Sequence, residues 1–142
     1  MGRVFDLLIV DDDPGQLRLM QILLGELGLG HRCYYTSNGP KALDFLHRRA
    51  PLEEAPRPHL ILLDLNMPGM NGCEVLRQIK SDPELCAIPV IILSSSQAES
   101  DVDACYREHA NAYIHKPADL ASNLGLLREI DRFWAECALV PH

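Results

Sequence analysis

The sequence has no apolar run long enough to cross a membrane. Its 142 residues contain nothing near the roughly 20 consecutive apolar residues that a transmembrane helix needs. Residues 1–3 lead straight into a short strand-like run that ends in acidic residues, which is not the pattern of a signal peptide. We therefore expect a cytoplasmic protein without a membrane partner.

The chain is also poor in positive charge and has no clustered cysteines. Thirteen Lys and Arg residues stand against twenty Asp and Glu residues, for a formal net charge of −7. Such a chain lacks the basic face that nucleic-acid binding usually needs, so we expect no nucleic-acid partner. The five cysteines form no CxxC pair and no metal-ligand spacing, which predicts reduced thiols.

What is present is typical of a globular chain. The composition is 47% hydrophobic and 23% charged, and the length suits one ordinary domain. We expect a single domain over residues 1–142, with no output domain after it.

Short apolar runs alternate with helical patterns along this domain. We predict strands at residues 4–10, 31–36, 59–63, 88–93 and 112–115. Helical spacing of apolar residues follows each run. Five strands that alternate with five helices favour an α/β fold with a doubly wound parallel sheet, covered on both faces.

Several local signals mark the boundaries of these elements. Asp13 and Pro14 are suited to the N-cap and the first position of the first helix, and Gly28 is suited to its end. Residues 50–58 contain three prolines and predict an exposed loop, either a partner contact or a solvated insertion. The last helix is predicted over residues 119–139.

Polar residues stand at the ends of four predicted strands. Strand one ends in Asp11 and Asp12, strand three in Asp64, strand four in Ser94 and strand five in Lys116. The carboxyl ends of parallel strands share one edge of the sheet, where ligands bind in open α/β folds. We therefore expect these side chains to meet.

The expected cluster suits phosphoryl transfer. Three neighbouring carboxylates repel one another and need a counter-charge, which Mg²⁺ supplies with its preference for oxygen ligands. A carboxylate, a metal ion, a hydroxyl and an ammonium together suggest formation of an aspartyl phosphate. Taken one by one, Ser95 or Ser96 remains an alternative to Ser94 if the predicted register slips, and Asp13 is sufficiently explained as a helix cap.

Four segments carry a resemblance to a known family. They are Ile9-Val10-Asp11-Asp12-Asp13, Leu63-Asp64-Leu65-Asn66-Met67-Pro68-Gly69-Met70-Asn71-Gly72, Ile88-Pro89-Val90-Ile91-Ile92-Leu93-Ser94 and Tyr113-Ile114-His115-Lys116-Pro117. In their order and spacing the sequence resembles the receiver domain of two-component response regulators. The resemblance implies a flavodoxin-like (βα)5 fold with strand order 2-1-3-4-5.

The resemblance also implies a role for each matching residue. Asp64 would be the phosphoacceptor and, with Asp12 and the backbone carbonyl of Asn66, would ligate Mg²⁺. Asp11 would lie close by or reach the metal through water. Ser94 and Lys116 would contact the phosphoryl group, and Tyr113 would be the rotating aromatic. The side chains of Asn66 and Ser96 would tune the phosphoryl lifetime.

A narrower resemblance concerns the partners. Asp13-Pro14-Gly15, Pro56-Arg57-Pro58, Ser95-Ser96-Gln97-Ala98-Glu99 and Phe133-Trp134 resemble stand-alone receivers that are partnered with bacterial phytochrome-type histidine kinases. This implies a sensor histidine kinase as phosphodonor and a homodimer through the fourth helix, fifth strand and fifth helix. Phe133 and Trp134 are adjacent and cannot both face one core. An alternative to the dimer is a Trp that lies on its own domain's surface.

Three functions follow from these residues. The leading hypothesis is a phosphorylated signalling switch rather than a turnover enzyme. A degenerate receiver, which binds partners without phosphorylation, is the alternative, although the acceptor, the acids and the lysine are all present. A phosphatase like those of the haloacid dehalogenase family is the third. It would need a general acid two residues after the nucleophile Asp64, where this sequence has Asn66.

Overall fold

The computed structural model describes residues 3–141. Met1, Gly2 and His142 lie outside this range, and so does the first part of the segment that we compared with signal peptides. The elements are β1 (Asp6–Val10), α1 (Pro14–Leu27), β2 (Arg32–Thr36), α2 (Gly39–Leu46), β3 (Leu60–Asp64), α3 (Gly72–Ser81), β4 (Val90–Ser94), α4 (Glu99–Arg107), β5 (Ala112–His115) and α5 (Leu120–Asp131). A π-helical segment, Arg132–Cys137, continues α5.

The five strands form one parallel sheet in the order β2-β1-β3-β4-β5. This confirms the predicted fold and strand order. In the register, Asp64 stands beside Leu93 and Ser94 stands beside His115. The carboxyl ends of β3, β4 and β5 are therefore nearly level, as the predicted site requires.

Two apolar cores cover the two faces of the sheet. Alternate strand residues face α2, α3 and α4 on one side, and the others face α1 and α5. All five residues of β1, β3 and β4 are buried, as expected of strands covered on both faces. The central strands thus hold the polar residues at their carboxyl ends in fixed positions.

The predicted boundaries of the first helix are confirmed. The Asp13 side chain accepts a hydrogen bond from the backbone N–H of Gly15, and Pro14 is the first helical residue. Gly28 ends the helix in the left-handed conformation with φ +59°, where glycine is unstrained. This N-cap fixes the direction in which the chain leaves β1 and its terminal acids.

The end of the chain differs from the prediction. The α-helix ends at Asp131 rather than near Leu139, and a π-helical segment follows. Leu120 and Leu139, near the two ends of the predicted helix, are exposed. Of the adjacent aromatic pair, Phe133 is 55% exposed while Trp134 packs against the core.

The loop between α2 and β3 is less solvated than its composition predicted. Leu52 and Ala55 pack against the apolar core, Pro58 is buried, and Arg57 forms an ion pair with Glu84 at 3.2 Å. Three prolines and several charges favour exposure locally, but two apolar side chains in the middle of the loop anchor it.

Two further expectations concern the described part of the chain. No helix within residues 3–141 is long and apolar enough to cross a membrane. All five cysteines, which lie in the same range, are free thiols.

Gly72, the first residue of α3, provides a test of the packing at the end of β3. A Cβ atom there would lie against the Asp64 carbonyl oxygen and 2.8 Å from the Leu65 Cα. We expect Gly72→Ala to lower the free energy of unfolding by about 2 kcal/mol or more, because backbone atoms cannot move aside. Urea unfolding measures the change.

Gly125 is the matched control, because it is also helical and a Cβ atom there meets nothing within 4 Å. Gly125→Ala should be neutral or stabilise the protein by about 0.5–1 kcal/mol. Equal effects of the two substitutions would contradict the packing assigned to Gly72.

Candidate functional site

The structure brings the predicted acidic residues together at the carboxyl edge of the sheet. Asp64 is the last residue of β3, and Asp11 and Asp12 directly follow β1. Oxygen atoms of these three carboxylates all lie within 4.8 Å of one another. Asp11 and Asp64 are buried, and Asp12 is partly exposed. The cluster therefore has one open side.

Lys116 connects the acidic cluster to β5. Its Nζ atom lies 3.0 Å from Asp11 Oδ2 and 3.0 Å from Asp64 Oδ1. The Lys116 backbone N–H donates to the Ser94 carbonyl oxygen at 2.7 Å, which continues the pairing of β4 with β5. One ammonium group thus faces two buried carboxylates, and net negative charge remains.

The pKa values of Asp64 and Lys116 reflect their burial and the charges around them. Burial raises the pKa of Asp64 to about 6 and the charges of Asp11 and Asp12 raise it as well, while Lys116 lowers it. For Lys116, burial lowers the pKa, but the contacts with Asp64 and Asp11 outweigh this and the net shift is upward. The site is thus short of positive charge.

The donor set fits a hard divalent cation. All side-chain donors in the cluster are carboxylate oxygens, which Mg²⁺ prefers. The cluster has unbalanced negative charge and an exposed side, on which water and a phosphate oxygen could complete the coordination. Asn66, two residues after Asp64, is exposed at the same edge.

Ser94 lies at the end of β4 beside this cluster. It is fully buried, and its Oγ atom accepts hydrogen bonds from Asn66 Nδ2 at 3.2 Å and from the Ser96 backbone N–H at 3.0 Å. Ser95 is exposed. Ser94, rather than Ser95 or Ser96, is therefore the hydroxyl residue at the end of β4, in the register that the sequence predicted.

Tyr113 is connected to Ser94 through Ser96. The Tyr113 hydroxyl donates to the Ser96 backbone carbonyl at 2.9 Å, and its ring is half-buried against the core. Tyr113 does not itself contact the acidic cluster. It lies on β5 and contacts, through its hydroxyl, the loop that follows β4.

Two residues near the site, Gly72 and Asp101, were not predicted from the sequence. Gly72 had no assigned role within the segment Leu63–Gly72, but the absence of its side chain lets α3 begin directly against the carbonyl of Asp64. Asp101 accepts a 2.5 Å hydrogen bond from the Ser96 hydroxyl. An acid in the first turn of a helix that follows a serine-rich loop was the available signal for Asp101.

The raised pKa of Asp64 predicts a pH-dependent stability. In the absence of Mg²⁺, Asp64→Asn should raise the free energy of unfolding at pH 8 by up to about 3 kcal/mol, since each pKa unit corresponds to about 1.4 kcal/mol. The folded chain binds this proton more tightly than the unfolded chain, whose carboxyl keeps the ordinary pKa of 3.8. The cost of ionising Asp64 is therefore absent below about pH 4 and complete above about pH 6.

Urea unfolding in EDTA across pH 4–8 measures this difference between the wild-type protein and the variant. Asp103→Asn, which neutralises an exposed carboxylate on α4, is the control and should show no such gain. A stability difference that is the same at pH 4 and pH 8 would contradict the assignment.

Comparison with known proteins identifies the family. Residues 7–127 match the response regulator receiver domain family. Response regulator Rcp1 of Synechocystis sp. is 38% identical over 135 residues, which cover 95% of this chain and 92% of Rcp1. The phosphorylated cyanobacterial phytochrome response regulator RcpA has a TM-score of 0.92 and 37% identity, over 99% of this chain and 100% of RcpA.

The Mn²⁺-bound form of Rcp1 is also similar, with a TM-score of 0.88 and 38% identity over 97% of this chain and 99% of that one. The fold, and the meeting of the acids at the carboxyl edge of the sheet, are consistent with the family of these relatives. The chain belongs to the response regulator receiver domain family.

Proposed function

We propose that Asp64 accepts a phosphoryl group from the phosphohistidine of a sensor histidine kinase, and that the protein signals through the surface change that follows. One observation carries the proposal. A carboxylate is buried at the end of the central strand, 3.0 Å from an ammonium group and beside two further acids. A buried carboxylate among like charges is costly to hold, and groups of this kind cluster at functional sites.

The proposed transfer uses the side chains of the cluster directly. The ionised Asp64 carboxylate attacks phosphorus, the P–N bond of the phosphohistidine breaks, and an acyl phosphate forms. Lys116, now freed from part of its contact with the Asp64 charge, faces the phosphoryl oxygens. Because the ionised form is the nucleophile, the pKa of about 6 leaves Asp64 ready to react at neutral pH.

The same residues would hold the metal ion. We assign Asp12, Asp64 and the backbone carbonyl of Asn66 as ligands of Mg²⁺, with Asp11 close by or linked through water. When bound, Mg²⁺ would supply positive charge at the phosphoryl oxygens. The relative Rcp1, which binds Mn²⁺, supports a divalent ion at this place.

The switch follows from the contacts of the loop after β4. Ser94 and Lys116 would contact the phosphoryl group, and Tyr113 would respond because its hydroxyl is bonded to Ser96. Asn66 and Ser96 would tune the lifetime of the acyl phosphate. Phosphorylation would in this way shift the conformation of the surface formed by α4, β5 and α5.

Rcp1 and RcpA support the partner and the organisation that we propose. RcpA is a phytochrome response regulator, and we infer that a phytochrome-type histidine kinase donates the phosphoryl group here. The match spans nearly the full length of both relatives, which supports one receiver domain over residues 1–142. We propose that this domain acts in the cytoplasm by protein contact.

The alternatives have less support. A degenerate receiver that works without phosphorylation would be expected to lack part of the cluster, yet Asp64, Asp12 and Lys116 are together. A phosphatase would need a general acid two residues after the nucleophile, where Asn66 instead donates to Ser94. We therefore favour a switch over a turnover enzyme.

Acetyl phosphate tests the acceptor. Incubation with Mg²⁺ should add one phosphoryl group, about 80 Da, to the wild-type protein and none to Asp64→Asn, because an amide is not a nucleophile of this kind. Intact mass spectrometry at acid and alkaline pH measures the addition, which should be acid-stable and base-labile.

Asp103→Asn is the control, since it removes a carboxylate without touching the cluster, and it should be labelled normally. Labelling of Asp64→Asn at the wild-type level would refute Asp64 as the acceptor. Repeated turnover of a phosphomonoester would instead support the phosphatase.

We also propose that the protein forms a homodimer through α4, β5 and α5. Phe133 follows α5, is 55% exposed, and lies edge-on against Trp134 with ring centroids 5.1 Å apart. Tyr106 on α4 and Leu120 at the start of α5 are exposed as well. Tyr106 and Leu120 thus belong to elements of the proposed interface, and Phe133 lies in the π-helical segment that continues α5.

Phe133→Glu tests the dimer. Placing a charge in the interface should weaken association by about tenfold or more, which size-exclusion light scattering across a concentration series measures. Ile22→Glu, at an exposed apolar position on α1, is the matched control and should leave association unchanged. Equal masses for all three proteins would contradict this interface.

A further inference from the structure

Two of the free thiols lie together between α3 and α4. Cys73 is the second residue of α3, and Cys105 is in the second half of α4. Cys105 is fully buried in the apolar core, and the partly buried Cys73 packs against the same core. Burial raises the pKa of the Cys105 thiol, and interaction with the Cys73 thiol raises it further. The two sulfur atoms are therefore neighbours.

Contacts around the two thiols fix how α3 and α4 face each other. One turn further along both helices, Arg77 Nε lies 3.0 Å from Glu108 Oε1. Arg77 follows Cys73 by four residues, and this spacing places both on one face of α3. Glu108 follows Cys105 by three residues, at the end of α4. Ala104, the residue before Cys105, lines a cavity together with Cys73. The faces that carry the two cysteines thus meet, as a disulfide between them requires.

The cavity beside Cys73 gives a small oxidant access to its sulfur. The cavity has a volume of about 130 Å³, whereas a single water molecule needs roughly 10–15 Å³ on the same measure. Asn66, Asn71 and Ala104 line it and are exposed, so it opens to solvent. Hydrogen peroxide is little larger than water and fits. Cys73 is thus the thiol within reach of peroxide, and Cys105 is the thiol within reach of Cys73.

We propose that Cys73 and Cys105 form a redox-sensitive site at which hydrogen peroxide closes a disulfide between α3 and α4. Disulfides of cytosolic proteins are usually transient ones of this redox-sensing kind. The inference does not depend on the proposed function of Asp64. It adds a covalent modification to the helix that begins against the Asp64 carbonyl.

The oxidation takes two steps. The Cys73 sulfur attacks one peroxide oxygen, the O–O bond breaks, and the thiol proton leaves with the departing hydroxide as water, which gives a sulfenic acid. The Cys105 sulfur then attacks the Cys73 sulfur, the S–OH bond breaks, and the Cys105 proton leaves with hydroxide as a second water. The two thiols lose two electrons, which peroxide gains. A thiol such as glutathione reverses the link by exchange.

Peptide mapping of the full chain tests the proposal. The folded protein is treated with a small excess of hydrogen peroxide, its remaining thiols are alkylated, and it is digested after glutamate without reduction. Cleavage after Glu99 places Cys86 and Cys105 in different peptides. We expect one linked pair of peptides, which contains Cys73 and Cys105 and disappears after treatment with dithiothreitol. Cys86, although exposed, should be recovered unlinked.

Two variants separate the roles of the thiols. In Cys105→Ala, Cys73 has no partner and should stop at a sulfenic acid that dimedone traps. In Cys73→Ser, Cys105 should keep its thiol, because burial shields it from peroxide. Cys86→Ser is the matched control, since it removes an exposed thiol and should leave the link between Cys73 and Cys105 unchanged.

The stability of the oxidised protein tests whether the native fold itself presents the pair. A disulfide that fits the fold should raise the urea midpoint of unfolding, because it restricts the unfolded chain. A disulfide that lowers the midpoint, or one that forms only in urea, would overturn the proposal. So would peroxide-treated protein in which both thiols stay free, or in which Cys73 pairs with Cys86 as readily as with Cys105.

Discussion

The structure depends on the balance between one ammonium group and a cluster of carboxylates. Lys116 Nζ lies 3.0 Å from both Asp11 and Asp64, yet Asp12 leaves the cluster with excess negative charge. Burial disfavours the ionised form of Asp64, and the neighbouring acids add to this effect, so the pKa of Asp64 rises to about 6. A metal ion or a proton relieves this excess, so the site is poised to bind a cation and to react.

The surrounding fold transmits what happens at that site. The acids and the lysine stand on rigid, buried strand ends, whereas Ser94 is joined through Ser96 to Tyr113 and to α4. Chemistry at Asp64 can move this loop because its hydrogen bonds are few and directional, while the sheet beneath it is close-packed. Because the loop after β4 leads into α4, its movement would reach the face that carries the proposed dimer interface.

Much of this could be predicted from the sequence. Buried strands that end in acids, and helix signals such as Asp13 before Pro14, are local patterns, so the fold class and the meeting of the acids followed from them. The strand order followed from the resemblance to the family. The Ser96–Asp101 contact depends on the path of a loop that no local pattern specifies. The end of the last helix was missed because apolar spacing alone extends it past Asp131, although Leu139 there has no core to contact.

The most direct test of the coupling is a comparison of amide NMR spectra of the Mg²⁺-loaded protein with and without beryllofluoride. Coupling predicts shifts that begin near Asp64 and extend through Ser94 and Ser96 to Tyr113 and the first turn of α4, with α1 and β2 little changed. Shifts confined to the neighbours of Asp64 would contradict the switch. They would show that the site binds a phosphoryl group without passing the change to the surface.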